Sequence, residues 1–209
     1  MQTITGRAEA PVLAANVKDA NGELVTGNGW TSVERAGVKV AIIGAELKAY
    51  MEWSVSYYNQ WQPGDVTISF NPEQPSYLYD VFAGVDYEID LSKPVGERIQ
   101  NVMFKGEPLA DDQTLKLAVN NYRFSSGLKN LNLVAGEKEW ESACSIRDMI
   151  VEYLAENSPI TPEVDNNWKI VGVDLQLDNP EREALIADVN AKIANGEMEI
   201  PYYESLRLE

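Results

Sequence analysis

The spacing of apolar and polar positions changes several times along this chain, and each change predicts an element. Pro11 to Val17 is a short apolar run closed by the turn signal Asp19-Ala20-Asn21-Gly22. The run from Gly37 to Gly44, with Val38, Val40, Ile42 and Ile43, is continuous and rich in β-branched residues, which predicts a strand covered on both faces. From Ala45 the period becomes helical. Leu47, Tyr50, Met51, Ser54, Val55 and Tyr58 share one face, predicting a helix of about four turns that ends before Pro63-Gly64.

The middle of the chain returns to a two-residue period. Tyr77–Phe82 and Val85–Leu91 flank Ala83-Gly84 and predict a hairpin with one wet face. Ile99–Phe104 and Lys116–Tyr122 predict further strands, separated by the turn Lys105-Gly106-Glu107 and the acidic pair Asp111-Asp112. Ser145 then reads as the cap of a helix with Asp148 three residues on, as in a capping box, and with Ile146, Met149, Ile150, Tyr153 and Leu154 as its apolar face. That helix stops before Pro159. A last helix is bounded by Asn179 as cap, Pro180 at its first position and Asn195-Gly196 at its end. Strands followed by helices with no internal repeat predict an α/β or α+β domain.

Composition narrows the chemistry. A hydrophobic share of 44% with 24% charged residues is that of a globular protein and excludes collagen-like or disordered chains. Acidic residues outnumber basic ones 33 to 17, so the net charge of −16 argues against a polynucleotide partner. No apolar stretch approaches the roughly 20 residues of a bilayer span, and no basic start precedes an apolar run, so neither a membrane span nor an export signal is expected in this chain. The complete absence of histidine excludes a Ser-His-Asp site, histidine-ligated zinc and the usual mixed two-metal centre. Most hydrolytic chemistry is thereby excluded. The single cysteine, Cys144, has no disulfide partner in the chain and reads as a packing residue. Glu137, Glu139 and Glu141 alternate with other residues as a solvated face would, and Trp53, Trp61, Trp140 and Trp168 are spaced like core residues rather than like a stacking platform.

Spacing alone identifies no active site, but several residue groups in order carry a resemblance. They are Gly44-Ala45-Glu46-Leu47-Lys48, Asn71-Pro72, Pro75-Ser76-Tyr77, the run Tyr79 to Leu91, Gly96-Glu97-Arg98-Ile99, Ala118-Val119-Asn120-Asn121-Tyr122-Arg123, Ile146-Arg147-Asp148 and Asp165-Asn166-Asn167-Trp168. In this order they resemble the C-terminal, substrate-recognition domain of the bacterial 5'-nucleotidase and 2',3'-cyclic-nucleotide 2'-phosphodiesterase family, the cyclic phosphodiesterase branch above all. Residues 1–44 resemble instead a fragment of the family's N-terminal metallophosphoesterase domain, so the resemblance implies a boundary near Gly44, with residues 45–209 as the recognition domain. The Asp-x-His, Gly-Asn-His-Asp/Glu and Gly-His-x-His motifs that hold two divalent metal ions in the full-length family are missing, as is the Asn-Gly-Gly-x-Arg stretch. What the resemblance implies is an α+β fold, a mixed sheet with packed helices, and a nucleotide-recognition domain from nucleotide catabolism, extracytoplasmic or on the cell surface, inactive alone, with no catalytic residue, metal ligand or cofactor of its own in this chain. Its expected ligand is a nucleoside or nucleotide, and its expected partner a metal-bearing catalytic domain. A structural or cell-surface interaction module with a vestigial pocket is the alternative.

By the same resemblance, Tyr122 is the leading site residue, because the aromatic of Asn-Asn-Tyr-Arg stacks on a nucleobase in the family. Stacking of this kind contributes about 1–3 kcal/mol per base. A tyrosine ending a strand and packed in the core is the plainer reading. Asn120 and Asn121 either hydrogen-bond a base edge or cap a strand end. Tyr79, Phe82 and Gly84 lie where the family lines its base pocket, although a hairpin glycine needs no ligand to explain it. Phe124 is a further candidate, although Phe124-Ser125-Ser126-Gly127-Leu128 departs from the family's small residues and Gly-Gly pair at this place.

Overall fold

The computed structural model describes residues 37–141, 145–161 and 164–208. The expectations for Pro11–Val17, for the rest of residues 1–36 and for Cys144 lie outside these residues, as does that for the Trp140 side chain. Strand β1 (Val38–Ile43) runs directly into helix α1 (Gly44–Val55). Strands β2 (Asp86–Asp90), β3 (Ile99–Phe104), β4 (Glu107–Pro108) and β5 (Thr114–Val119) follow, then a π-helix (Arg123–Lys129) and β6 (Lys138–Glu141). Helix α2 (Ile146–Asn157), strand β7 (Trp168–Val171) and helix α3 (Pro180–Ala194) complete the order. The strands form a three-stranded sheet ordered β5-β1-β6 and a four-stranded sheet ordered β4-β3-β2-β7. The fold is α+β.

The chain divides into two compact units, whose described parts are residues 37–51, 81–87 and 101–168 in the first and 52–80, 88–100 and 169–208 in the second. In the first, β1 pairs antiparallel with β5 from Val38↔Val119 to Ile43↔Thr114, and with β6 across a register shift between Lys39 and Val40. Val38, Val40 and Ile42 are buried while Lys39, Ala41 and Ile43 are only partly covered or exposed. The central strand is therefore buried on one face, not on both as its continuous apolar run predicted. Helix α1 leaves this sheet without a loop because its start is tied to the β4–β5 connection. Gly44 and Ala45 donate to the Gln113 and Asp111 carbonyls at 3.0 and 2.9 Å. A Cβ on Gly44 would overlap the Ala110 carbonyl, so only glycine permits this approach. The Glu46 carboxylate accepts from the amides of Ile43 and Ala135, and the Lys48 ammonium donates to the Leu109 carbonyl and to Asp111.

The second unit closes around the end of α1. Arg98, 1% exposed, donates from Nη1 to the carbonyls of Val55 and Tyr58 at 3.1 and 2.7 Å and from Nε to Lys93 O, satisfying carbonyls that a helix end leaves without intrahelical partners. Glu52 accepts from the amides of Gly96 and Ile99. The C-terminal segment lies against residues 64–70, with Val66 and Phe70 donating to the Leu206 and Tyr202 carbonyls and buried Asp65 paired with Arg207. Helix α3 matches its sequence signals: the Asn179 side chain accepts from Glu181 N, Pro180 follows, and Glu181 and Glu183 occupy the first turn.

Four local expectations are corrected. Residues 77–82 form no strand and no hairpin: a short 3₁₀ turn covers Ser76–Leu78, and side chains take up the backbone groups that a ladder would have used. Ser54 Oγ serves both the carbonyl and the amide of Asp80, and Asn167 Nδ2 donates to Phe82 O and Val85 O, each at 2.7 Å. The strand foreseen to Tyr122 ends at Val119, after which the chain winds into helix. Ser145 caps α2 only by its backbone position, since its side chain makes no capping bond, and no residue of α2 is buried; Ile146, Ile150, Val151 and Leu154 are all exposed. The glutamates Glu137, Glu139 and Glu141 are all exposed, as a solvated face requires, in or beside β6, where Glu137 and Glu139 pair with Lys129 and Lys116. Trp53, Trp61 and Trp168 are half-buried rather than deep in the core. No helix among the described residues is long and apolar enough to cross a membrane.

Candidate functional site

The segment after β5 alternates in pairs. Asn121 and Tyr122 are exposed, Arg123 and Phe124 buried, Ser125 and Ser126 exposed, Gly127 and Leu128 buried. A π-helix returns to the same face every four to five residues through its i→i+5 bonding, so this pattern is one anchored face and one open face. Phe124 and Leu128, at 4% and 0% exposure, are the apolar anchors. Tyr122, at 56%, stands on the open face beside Asn121, Ser125 and Ser126. The ring is neither the end of a strand nor part of the core.

Both asparagines hold the backbone. Asn120 Oδ1 accepts from Arg123 N at 2.6 Å and Asn121 Oδ1 from Tyr122 N at 2.8 Å, capping the start of the turn. Ser126 Oγ donates to the Tyr122 carbonyl at 2.5 Å, closing the first turn from its C-terminal side. Tyr122 is thus displayed from a segment fixed at both ends.

The remaining candidates sit differently. The Phe82 ring is buried edge-on against Tyr50 at 4.8 Å and against Tyr87 at 6.2 Å. Gly84 lies beside it in the left-handed region at φ 87°, as the turn requires. Asn167 and the Tyr87 hydroxyl, which accepts from Phe82 N, hold this turn, while Trp168 stacks on Tyr87. Phe124 is a core anchor rather than a displayed ring. Tyr79 belongs to the second unit, in a cluster with Tyr57, Tyr58 and Phe70 whose ring centroids lie 4.7 to 5.8 Å apart. Burial pushes the Tyr58 phenol above its usual range, and its hydrogen bond with Tyr79 pulls the other way.

The sequence pattern described as the 5'-nucleotidase C-terminal domain matches residues 30–134, just over half of the chain. This chain belongs to the 5'-nucleotidase C-terminal domain family. The matched stretch takes in β1 as well as Gly44–Lys48, and it ends after the π-helix. Among curated relatives, the trifunctional nucleotide phosphoesterase YfkN of Bacillus subtilis is 32% identical over 149 residues, covering 64% of this chain and 10% of that protein. The 2',3'-cyclic-nucleotide 2'-phosphodiesterase/3'-nucleotidase of Yersinia enterocolitica is 29% identical over 165 residues, covering 66% of this chain and 24% of the relative. The chain thus spans between a tenth and a quarter of these relatives' length. Among solved structures, a 5'-nucleotidase of Staphylococcus aureus superposes with a TM-score of 0.57 at 23% identity, over 80% of this chain and 34% of that one. A 5'-nucleotidase precursor of Thermus thermophilus gives 0.52 at 18% identity, over 83% and 34%. At these identities the two superpositions establish the fold.

Much of the family motif is architectural in this chain. Gly44, Glu46 and Lys48 dock α1, Arg98 caps its end, and Asn167 pins the Phe82–Val85 turn. Arg123, part of the Asn-Asn-Tyr-Arg run, is buried in the π-helix together with Gly127 four residues on, a burial that the spacing of the run does not signal.

Proposed function

We propose that this family member is a nucleoside- or nucleotide-recognition domain in which the base stacks on the open face of Tyr122, and that the chain by itself hydrolyses no phosphoester. The observation that supports the reading is the 56% exposure of Tyr122 on a segment whose other face is buried. A large ring on anchored backbone loses little freedom on binding, which is the main cost of a small interface. The names of the curated relatives, nucleotide phosphoesterase and cyclic-nucleotide phosphodiesterase, support a nucleotide as the ligand class. A polynucleotide is disfavoured by the net charge of −16.

The two divalent metal ions of the full-length family do not fit the residues present. The chain has no histidine, and the described residues hold no cluster of three or more His, Cys, Asp or Glu able to bind a metal. Hydrolysis therefore falls, in this proposal, to a metal-bearing catalytic domain of a longer protein or of a partner, acting outside the cytoplasm. Stacking on one ring supplies about 1–3 kcal/mol, so adenosine should bind with a dissociation constant near the millimolar range, about −4 kcal/mol. Nuclear magnetic resonance titration tests this: Tyr122→Ala should abolish the adenosine-induced shifts and Tyr122→Phe should keep them. Shifts unchanged in Tyr122→Ala would overturn the reading, as would chelator-sensitive turnover of 2',3'-cyclic AMP by the purified chain overturn the inactivity it includes.

A further inference from the structure

Arg123 is 5% exposed directly beside the exposed Tyr122, and a Cβ placed on Gly127 would lie 3.0 Å from Arg123 Cδ and 3.6 Å from its Nη1. In an α-helix residue 127 would stack on residue 123, four positions earlier, and a side chain there would meet the arginine stem. Glycine leaves that space to the stem, and the turn above it is wide, of the π type. The same turn determines which residues face out. With Arg123 and Gly127 buried together, the ring of Tyr122 is left on the open face with Asn121, Ser125 and Ser126.

We propose that Arg123 and Gly127 form a positioning pair for Tyr122, the aliphatic stem of Arg123 under Gly127 setting the wide turn that presents the ring. The inference rests on the reading of Tyr122 as the stacking group, but its geometric content concerns the free protein. The atoms nearest a Cβ on Gly127 include the stem carbon Cδ, so the turn is assigned to the stem rather than to the guanidinium charge. Methionine at 123 therefore preserves it and alanine does not, and any side chain at 127 disturbs it. Arg123 would act through Tyr122 and touch no ligand.

The test uses the full chain with carbon-13-labelled tyrosine, assigning the Tyr122 ring signals by their loss in Tyr122→Phe. Gly127→Ala and Arg123→Ala should move the Tyr122 ring signals in the ligand-free protein and weaken adenosine binding at least threefold. Arg123→Met should leave the ring signals in place and binding within twofold. Melting temperatures measured in parallel separate positioning from general destabilisation, because a merely structural role would not be rescued selectively at Tyr122 by methionine. If Gly127→Ala fails to fold, the contrast between Arg123→Ala and Arg123→Met decides. Ring signals unmoved in Arg123→Ala, or moved equally in Arg123→Met, would overturn the pair. Were adenosine to cause no Tyr122-dependent shifts in the native chain, the stacking reading would fail while the ring signals still decided the positioning pair.

Discussion

The hydroxyl of Ser54 donates to the carbonyl of Asp80 at 2.8 Å and accepts from its amide at 2.7 Å, so one fully buried side chain satisfies both backbone groups of a residue 26 positions away. This reciprocal pair holds the segment after the 3₁₀ turn on the last turn of α1. It is also why that segment needs no strand partner at Asp80. Ser54→Ala keeps the shape and removes both bonds, leaving backbone polar groups unmatched at about 1–3 kcal/mol each when buried. Urea unfolding should show a loss of about 2–3 kcal/mol; a loss below about 0.5 kcal/mol would mean that water replaces the hydroxyl freely.

Gly44 joins β1 to α1 against the Ala110 carbonyl. Because the added methyl of Gly44→Ala would overlap backbone rather than a movable side chain, relief requires shifting either the helix start or the β4–β5 connection. A destabilisation of about 3 kcal/mol or more is expected, in the range of severe overpacking. Thermal unfolding read by circular dichroism checks it.

Asp65 is 2% exposed at its side chain while the side chain of its partner, Arg207, is 58% exposed. Removing the arginine leaves a buried carboxylate held by the Gln62 amide. Since the arginine is largely in solvent, its loss should cost only about 1–2 kcal/mol. Asp65→Asn added to Arg207→Ala should recover part of that, because an amide carries no charge to desolvate. A double variant less stable than Arg207→Ala alone would show that the carboxylate serves its backbone contact more than the ion pair.

Tyr58 ionises later in the folded protein than in the unfolded chain, because burial disfavours the phenolate. The stability this contributes is whole below the ordinary phenol value near pH ~10 and falls as pH rises through the higher folded value. Tyr58→Phe should therefore flatten the alkaline limb of the pH–stability curve while lowering stability near neutrality by about 1 kcal/mol for the lost bond with Tyr79. An unchanged alkaline limb would place the ionisation elsewhere.

What the sequence alone determined is whatever is written in local chemistry. The caps and proline of α3, the helical period of Leu47 to Val55 and the succession of strands and helices are each decided by neighbours within a turn or a strand, so their patterns survive folding. The family, too, was legible, because residues such as Gly44, Glu46 and Lys48 occur in fixed order. What only the tertiary structure decided depends on residues far apart in sequence. Tyr77–Phe82 has a strand's composition, yet Ser54 and Asn167 reach its backbone from 26 and 85 positions away and fix it without a partner strand. Val38–Ile43 reads as buried on both sides, but burial belongs to what packs against each face, and only one face is fully buried. The apolar stripe of α2 is helical as its period demands, yet none of it is buried and Ile146, Ile150 and Leu154 are exposed, since periodicity fixes which residues share a face and not how far that face is covered. The display of Tyr122 is of the same kind. Its motif was readable, but the ring is exposed because the chain after β5 winds into a π-helix that buries Arg123, Phe124, Gly127 and Leu128 on its other face, an arrangement that spacing alone does not record.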